Sequence, residues 1–339
     1  MTRILIVRVG ALGDTVMVTP TLRALRRQHP QAELDFLCAE AAGELLVGNP
    51  HVTRIIPLRQ RNLPYAISVE KQQLARTLRA RRYDMAVLLE AAPRYRDLLT
   101  HANIPEIRSF AEAPFDPRQH CIVNYLRVAN AHDVTTDELD MELSLSEIER
   151  AAALHRLRDL PKPRVGVHVG YGPRRGKKHQ SLRLRGWKPK HFAQLAHELL
   201  RREVGVVLTG SAEDRAETER IVQGLPPDQI RSIAGHTSVR ELAAIIGSLD
   251  LLVSVDTGAA HIAAALGTPL AVLWGPAIYA QTRPVSSSSP IRIVQVPVPC
   301  APCYGTPLMK SCTQNICMDG ISADIALEAV DDLLARAHR

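Results

Sequence analysis

Residues 3–28, RILIVRVGALGDTVMVTPTLRALRRQ, decide how the chain is read. Arg3–Val9 is a short β-branched apolar run and reads as a strand. Gly10 and Gly13 in the following GALGDT let the backbone turn tightly and approach a ligand. Thr15–Gln28 then has a helical pattern, and the start of such a helix offers free N–H donors. The third glycine of GxGxxG is absent and no P-loop lysine follows, so the turn is neither a dinucleotide fingerprint nor a Walker loop. Asp14 reads in two ways, as the N-cap of the helix and as a carboxylate at the mouth of a cleft, placed to take a proton from a substrate hydroxyl.

The same strand, turn and helix alternation runs through nearly the whole chain, the signature of parallel βαβ units. In the first half strands are expected at Arg3–Val9, Glu33–Leu37, Arg54–Pro57 and Asp84–Leu89, with helices at Thr15–Gln28, Ala41–Val47 and Ala66–Arg82. In the second half strands are expected near Val165–Val169, Val204–Leu208, Arg231–Ala234, Leu251–Ser254 and Leu270–Leu273. Helices are expected there at Pro189–Arg202, Ala212–Gln223, Val239–Ser248 and Thr257–Leu266. The polar helical segment Ser146–Leu160, ending in PKP, marks a boundary between residues 1–160 and residues 161–339. The fold class is therefore α/β, with two doubly wound, Rossmann-like domains. Ligands of open α/β sheets bind outside the carboxyl ends of the strands, so two facing lobes would hold a cleft between those ends.

Two further turns resemble the first in form. Ser254-Val-Asp-Thr-Gly-Ala-Ala-His261 would cradle phosphate oxygens on the first helical N–H groups, the Thr257 hydroxyl and Gly258, with His261 one turn inside. A plain N-cap at Asp256 and a satisfied core histidine at His261 are the alternatives. Thr209-Gly210-Ser211-Ala212-Glu213 puts a carboxylate just past a strand end, where ribose hydroxyls are commonly gripped. With the basic connection ending Leu184-Arg185-Gly186-Trp187-Lys188, these turns suggest a nucleotide diphosphate held mainly by the second lobe. No GxSxG elbow appears, which disfavours acyl transfer.

Across 339 residues the composition is 46% hydrophobic and 23% charged, enough for a buried core in about two domains. The net charge of +7 favours anionic partners. Between Leu160 and His197 there is no acid but ten cations, among them Arg174, Arg175, Lys177, Lys178, Arg183 and Arg185. Between Thr53 and Tyr83 eight cations, including Arg59 and Arg61, face the single acid Glu70, which suggests an anionic acceptor on the first lobe. Aromatic residues make up only 4%, too few to stack bases, so nucleic acid is disfavoured. There is no secretory signal pattern and no apolar stretch approaching about 18 residues, so a cytosolic protein is expected. Cys38 and Cys121 read as buried thiols. Cys300, Cys303, Cys312 and Cys317 have a tetrathiolate-like spacing that suits structural Zn or Fe, or reduced thiols packed in a loop.

The opening block, the R-G-W-K-P-K-H-F segment, the TGSAED turn and S-V-D-T-G-A-A-H-I-A-A-A-L-G-T-P together resemble the lipopolysaccharide heptosyltransferases, glycosyltransferase family 9, enzymes of the GT-B fold. The resemblance implies inverting, metal-independent transfer of a sugar from a nucleotide diphosphate donor, usually ADP-L-glycero-D-manno-heptose, to a sugar hydroxyl of the lipopolysaccharide inner core. It implies Asp14 as base and Arg185, where many members carry Lys, as the group that meets the departing diphosphate. It implies donor contacts from Gly13, Thr15, Gly210, Ser211, Glu213, Asp256, Thr257, Gly258 and His261, and no cofactor for catalysis. An anionic glycan or glycolipid acceptor and peripheral contact with the cytosolic face of the inner membrane are expected with it. The rivals are an enzyme of the same kind acting on another glycan, small molecule or protein, a sugar epimerase, and a nucleotide-sugar-binding protein without activity.

Overall fold

A computed structural model of the chain describes residues 2–130, 139–170 and 183–337. The basic stretch Gly172–Ser181, with Arg174, Arg175, Lys177 and Lys178, lies outside them. The chain divides into two compact units, Met1–Ser144 and Leu145–Arg339.

In the first unit β1 (Arg3–Arg8), β2 (Glu33–Ala39), β3 (Arg54–Leu58), β4 (Met85–Leu88) and β5 (Glu106–Ser109) form a parallel sheet in the order β3-β2-β1-β4-β5. The four central residues of β1 are buried, as a parallel strand covered on both faces must be. Leu5, Val7, Ala86 and Leu88 pack with Leu78 of helix Val69–Arg81 and with Tyr95 and Leu98 of helix Pro93–His101. The strand order reverses between β1 and β4, where Val7 lies opposite Leu88.

In the second unit β6 (Arg164–His168), β7 (Gly205–Thr209), β8 (Ile230–Ser232), β9 (Leu251–Val255), β10 (Leu270–Leu273) and β11 (Ile291–Val294) pair in parallel in the order β11-β10-β9-β6-β7-β8. Here the order reverses between β6 and β9, with His168 opposite Ser254. The core joins Val165, Val167, Val253 and Leu273 to Phe192 and Leu195 of helix Pro189–Leu200 and to Val330 and Leu333 of the C-terminal helix.

Several local features differ from the sequence reading, among them the additional helices Pro93–His101, Cys121–Val128 and Ala323–Ala337. The helix expected over Thr15–Gln28 is two, Leu12–Val16 and Thr19–Gln28, because Pro20 sits in the first turn of a new helix rather than inside an old one. The edge strands β5 and β11 are additional. The segment Ala41–Val47 holds only a short helix, Glu40–Gly43, followed by a 3₁₀ turn. Helix Glu147–Leu157 belongs with the second unit, so the division falls after Ser144 and not after residue 160. Ala153 and Leu157 are buried, and Glu149 takes two hydrogen bonds from Arg240 of helix Val239–Ile246, one of 2.9 Å. Among the described residues no helix is long and apolar enough to cross a membrane.

Candidate active site

Ligands of doubly wound sheets bind beyond the strand ends where the order reverses. In the first unit that place is the carboxyl end of β1 and β4, and it holds a half-buried charge cluster. The Arg8 guanidinium donates to Asp14 Oδ1 at 2.6 Å and to the Leu89 carbonyl at 3.2 Å, and lies 3.1 Å from Glu90 Oε1. Its face is 5.5 Å from the Tyr125 ring centroid. Burial disfavours the Arg8 charge, but Tyr125, Asp14 and Glu90 outweigh it and move its pKa up. Glu90 is itself fixed by the Val9 N–H at 2.8 Å.

Asp14 is the third residue of its short helix, and Ala11 occupies the N-cap, which corrects the capping alternative. Its Oδ2 reaches back to accept the Ala11 N–H at 2.8 Å, so each carboxylate oxygen has a donor. The turn is built around this carboxylate: a Cβ on Gly10 would lie 2.3 Å from Asp14 Oδ2. The same closeness explains a glycine at the strand end better than conformational freedom does. Gly13 and Thr15 are buried in the helix, and among the described residues the Thr15 hydroxyl finds no partner.

The two acceptor candidates separate. Arg61 donates to the Gly10 carbonyl at 3.0 Å, which sets its guanidinium beside the Asp14 turn. Its own carbonyl accepts Arg94 Nε at 2.7 Å, Tyr95 Oη at 3.0 Å and the buried Lys71 ammonium at 3.2 Å. Arg59 is instead paired with Glu40 on the exposed surface and does not join the cluster. Burial pushes Cys38 up to about 12 and Cys121 up to about 11, in keeping with unreactive thiols.

In the second unit the reversal between β6 and β9 gathers His168, Asp256 and Arg185. His168 ends β6, is buried, and shares a 2.8 Å hydrogen bond through Nδ1 with the Thr209 hydroxyl. Desolvation holds it down to about 4, so it is neutral near pH 7. Asp256 follows β9 and is buried; Thr257, not Asp256, is the N-cap of helix Gly258–Leu266. Burial raises the Asp256 pKa, and the Arg185 guanidinium 3.1 Å away opposes that shift. The Thr257 hydroxyl meets Ser254 Oγ at 3.1 Å, Gly258 opens the helix, and His261 is buried within it.

The β7 turn is organised by a residue that sequence did not single out. Asp214, 1% exposed, accepts the Ser211 N–H at 2.8 Å and the Ser211 hydroxyl at 2.7 Å. A Cβ on Gly170 would meet its Oδ2 at 2.6 Å, and one on Gly210 would meet its Cβ at 2.9 Å. Glu213 is exposed beside it, at the strand end expected for a ribose. Asp214 closes the TGSAED turn and Arg8 ends β1 inside the opening block, so both lie in quoted segments, whereas Glu90 just past β4 lies in none; the partners that give each its role are set by the fold.

The R-G-W-K segment is anchored by Trp187, whose indole donates to the Ile321 carbonyl at 2.7 Å and lies edge-on to Phe192. Arg183, Gly186–Pro189, Thr313–Ile316 and Asp319 line a cavity of about 600 Å³. The cysteine segment does not form the expected tetrathiolate. All six cysteines are free thiols. Cys303 and Cys317 are buried, but Cys312 donates toward the Gln314 carbonyl at 3.6 Å and Cys317 toward Asn315 Oδ1 at 3.4 Å. Among the described residues no group of three or more His, Cys, Asp or Glu side chains is arranged to hold a metal ion. The four sulfurs as placed do not fit Zn or Fe.

The geometry agrees with comparisons to known proteins. The model of glycosyltransferase family 9 (heptosyltransferase) matches residues 72–312. Lipopolysaccharide heptosyltransferase 2 of Salmonella typhimurium is 26% identical over 319 residues, covering 87% of this chain and 88% of that protein. The E. coli ADP-heptose lps heptosyltransferase II structure superposes with a TM-score of 0.78 at 24% identity, over 100% of both chains. A glycosyl transferase family 9 structure from Veillonella parvula gives 0.81 at 19% identity, over 99% of this chain and 98% of its own. The chain belongs to glycosyltransferase family 9, the heptosyltransferases.

Proposed function

We propose that the chain transfers heptose from ADP-L-glycero-D-manno-heptose to a sugar hydroxyl of the lipopolysaccharide inner core, with inversion and without a metal. The observation that carries this reading is the Asp14 carboxylate, held at the switch end of the first sheet by Arg8 and the Ala11 N–H. In a single displacement the acceptor oxygen attacks the anomeric carbon and the bond from that carbon to the β-phosphate oxygen breaks. The acceptor proton passes to Asp14, and ADP departs with the bonding electrons. Charge growing on the diphosphate is met by Arg185 and by the N–H groups opening helix Gly258–Leu266. Glu213 suits the ribose hydroxyls, and Arg61, beside the Asp14 turn, suits an anionic acceptor.

Work at an anionic membrane surface, on the cytosolic side, fits the same reading. Leu63, Ile67 and Val69 are exposed on the segment that also carries Arg59 and Arg61, a mixture suited to lipid headgroups. Mass spectrometry of purified protein with ADP-heptose and heptose-free core tests the function. One added heptose with release of ADP is expected, in the presence of EDTA as in its absence. ADP release without a glycosylated product refutes transfer, and product formed only on adding a metal refutes the metal-free route.

A further inference from the structure

We propose that Tyr304 positions the Arg185 guanidinium, which makes the cysteine-bearing segment after Pro299 part of the leaving-group machinery. This rests on the reading of Arg185 as the group that meets the diphosphate. The Arg185 stem is long and carries its charge at the end of several rotatable bonds. Trp187 fixes the backbone two residues on, but not that end. Among the described residues two contacts hold the guanidinium. Asp256 Oδ2 meets one edge at 3.1 Å, and the Tyr304 ring covers the face, with its centroid 4.3 Å from Cζ. The side chain is only 18% exposed, and among the described residues its buried Nε has no hydrogen-bond partner. A buried donor without a partner is costly, and an incoming phosphate oxygen would supply one.

The backbone that carries the ring is held. The N–H groups of Cys303 and Tyr304 both donate to the Pro276 carbonyl, at 3.1 and 3.0 Å, just beyond the end of β10. The Thr306 hydroxyl and N–H both return to the Cys303 carbonyl. The loop therefore presents the ring as a fixed plate next to the strand ends. A plate on one face and a carboxylate on one edge leave the guanidinium a single orientation. The diphosphate then meets a charge that needs no reorganisation as the bond breaks.

The test compares kcat, ADP affinity by calorimetry and thermal melting for Tyr304→Leu, Tyr304→Phe, Arg185→Ala and the double variant Arg185→Ala/Tyr304→Leu. Tyr304→Leu is expected to lower kcat roughly 3- to 30-fold, the range of a partly desolvated cation–π contact, with acceptor KM unchanged. Tyr304→Phe, which keeps the ring, should recover most of that loss. In the double variant Leu should add less than about twofold to the effect of Arg185→Ala, because a residue acting through Arg185 has nothing left to position. If Tyr304→Leu melts early, Tyr304→Gln takes its place at this partly exposed site. A slow Arg185→Ala with a normal Tyr304→Leu overturns this inference alone. So does Tyr304→Phe being as slow as Leu, or full additivity in the double variant. An Arg185→Ala enzyme of normal rate overturns the Arg185 assignment itself, and this inference with it.

Discussion

Asp14→Asn separates two roles of one carboxylate, since the change removes charge and basicity with little change in shape. If Asp14 were only an N-cap, Asn would serve as well and stability would hardly move. Its actual partners predict otherwise. Oδ1 accepts Arg8 at 2.6 Å and Oδ2 accepts the Ala11 N–H at 2.8 Å, whereas Asn has one acceptor and turns an NH₂ group toward the other donor. Arg8 keeps Glu90 at 3.1 Å, so its charge is not orphaned. The cost should fall below that of breaking a fully buried pair, at about 1–2 kcal/mol. For a unit of this size that is a drop in Tm of roughly 2–8 °C. Turnover should fall much further, by about 10² to 10⁴, the usual worth of a positioned base. ADP affinity should stay within about twofold, because the turn proposed to hold the phosphates lies in the other unit. Steady-state kinetics, calorimetry with ADP and a melting curve on one preparation read all three. Normal kcat with a lowered Tm would make Asp14 a partner of Arg8 and nothing more. An unchanged Tm would refute the ion-pair reasoning even if activity were lost.

Arg8→Leu leaves Asp14 and Glu90 as neighbouring carboxylates without their shared cation, and should cost about 2–4 kcal/mol by chemical denaturation, more than Asp14→Asn; a smaller cost than Asp14→Asn refutes the shared pairing. Arg61→Ala should raise acceptor KM several-fold at low salt while Arg59→Ala leaves it unchanged, since only Arg61 reaches the Gly10 carbonyl; equal effects of the two would refute the separation. Glu149, hydrogen-bonded by Arg240 and Ser146, is lowered to about 2. Its depressed folded pKa means that its contribution is present above the ordinary carboxylate range and is lost as pH falls from about 5 toward 2. Wild type should therefore exceed Glu149→Gln in stability at pH 6, with the gap closing by pH 2 in urea titrations; a gap independent of pH refutes the pairing.

The central strands were legible because parallel strands buried on both faces must be unbroken apolar runs, as in Leu251–Val255, where every residue is buried. The edge strands Glu106–Ser109 and Ile291–Val294 were not, because each buries only one residue fully and shows no such run. The boundary was misplaced because PKP is a strong local break, whereas the affiliation of Glu147–Leu157 depends on Glu149 meeting Arg240, 91 residues away. Asp14 and Asp256 were both legible as carboxylates at helix starts, and in both the capping role was misread. In one the helix begins two residues before the Asp and in the other two residues after it, a shift that the pattern of a short segment does not resolve.

Arg8 shows why the rest of the site was hidden. In sequence it is a charged residue at the end of an apolar run, which reads as an exposed strand terminus. It becomes the hub of the cluster only because the sheet order sets β1 beside β4 in a register that puts Val7 opposite Leu88, and so brings Glu90 from 82 positions along the chain. The order that hides Arg8 from sequence is also the one that opens a ligand position at the strand ends. A carboxylate proposed to take a proton from a hydroxyl has to be held still to face it, and a half-buried guanidinium between two carboxylates meets that need. Asp256 and Arg185 repeat the arrangement at the reversal of the second sheet with the emphasis inverted: there the carboxylate steadies the cation proposed to meet the diphosphate.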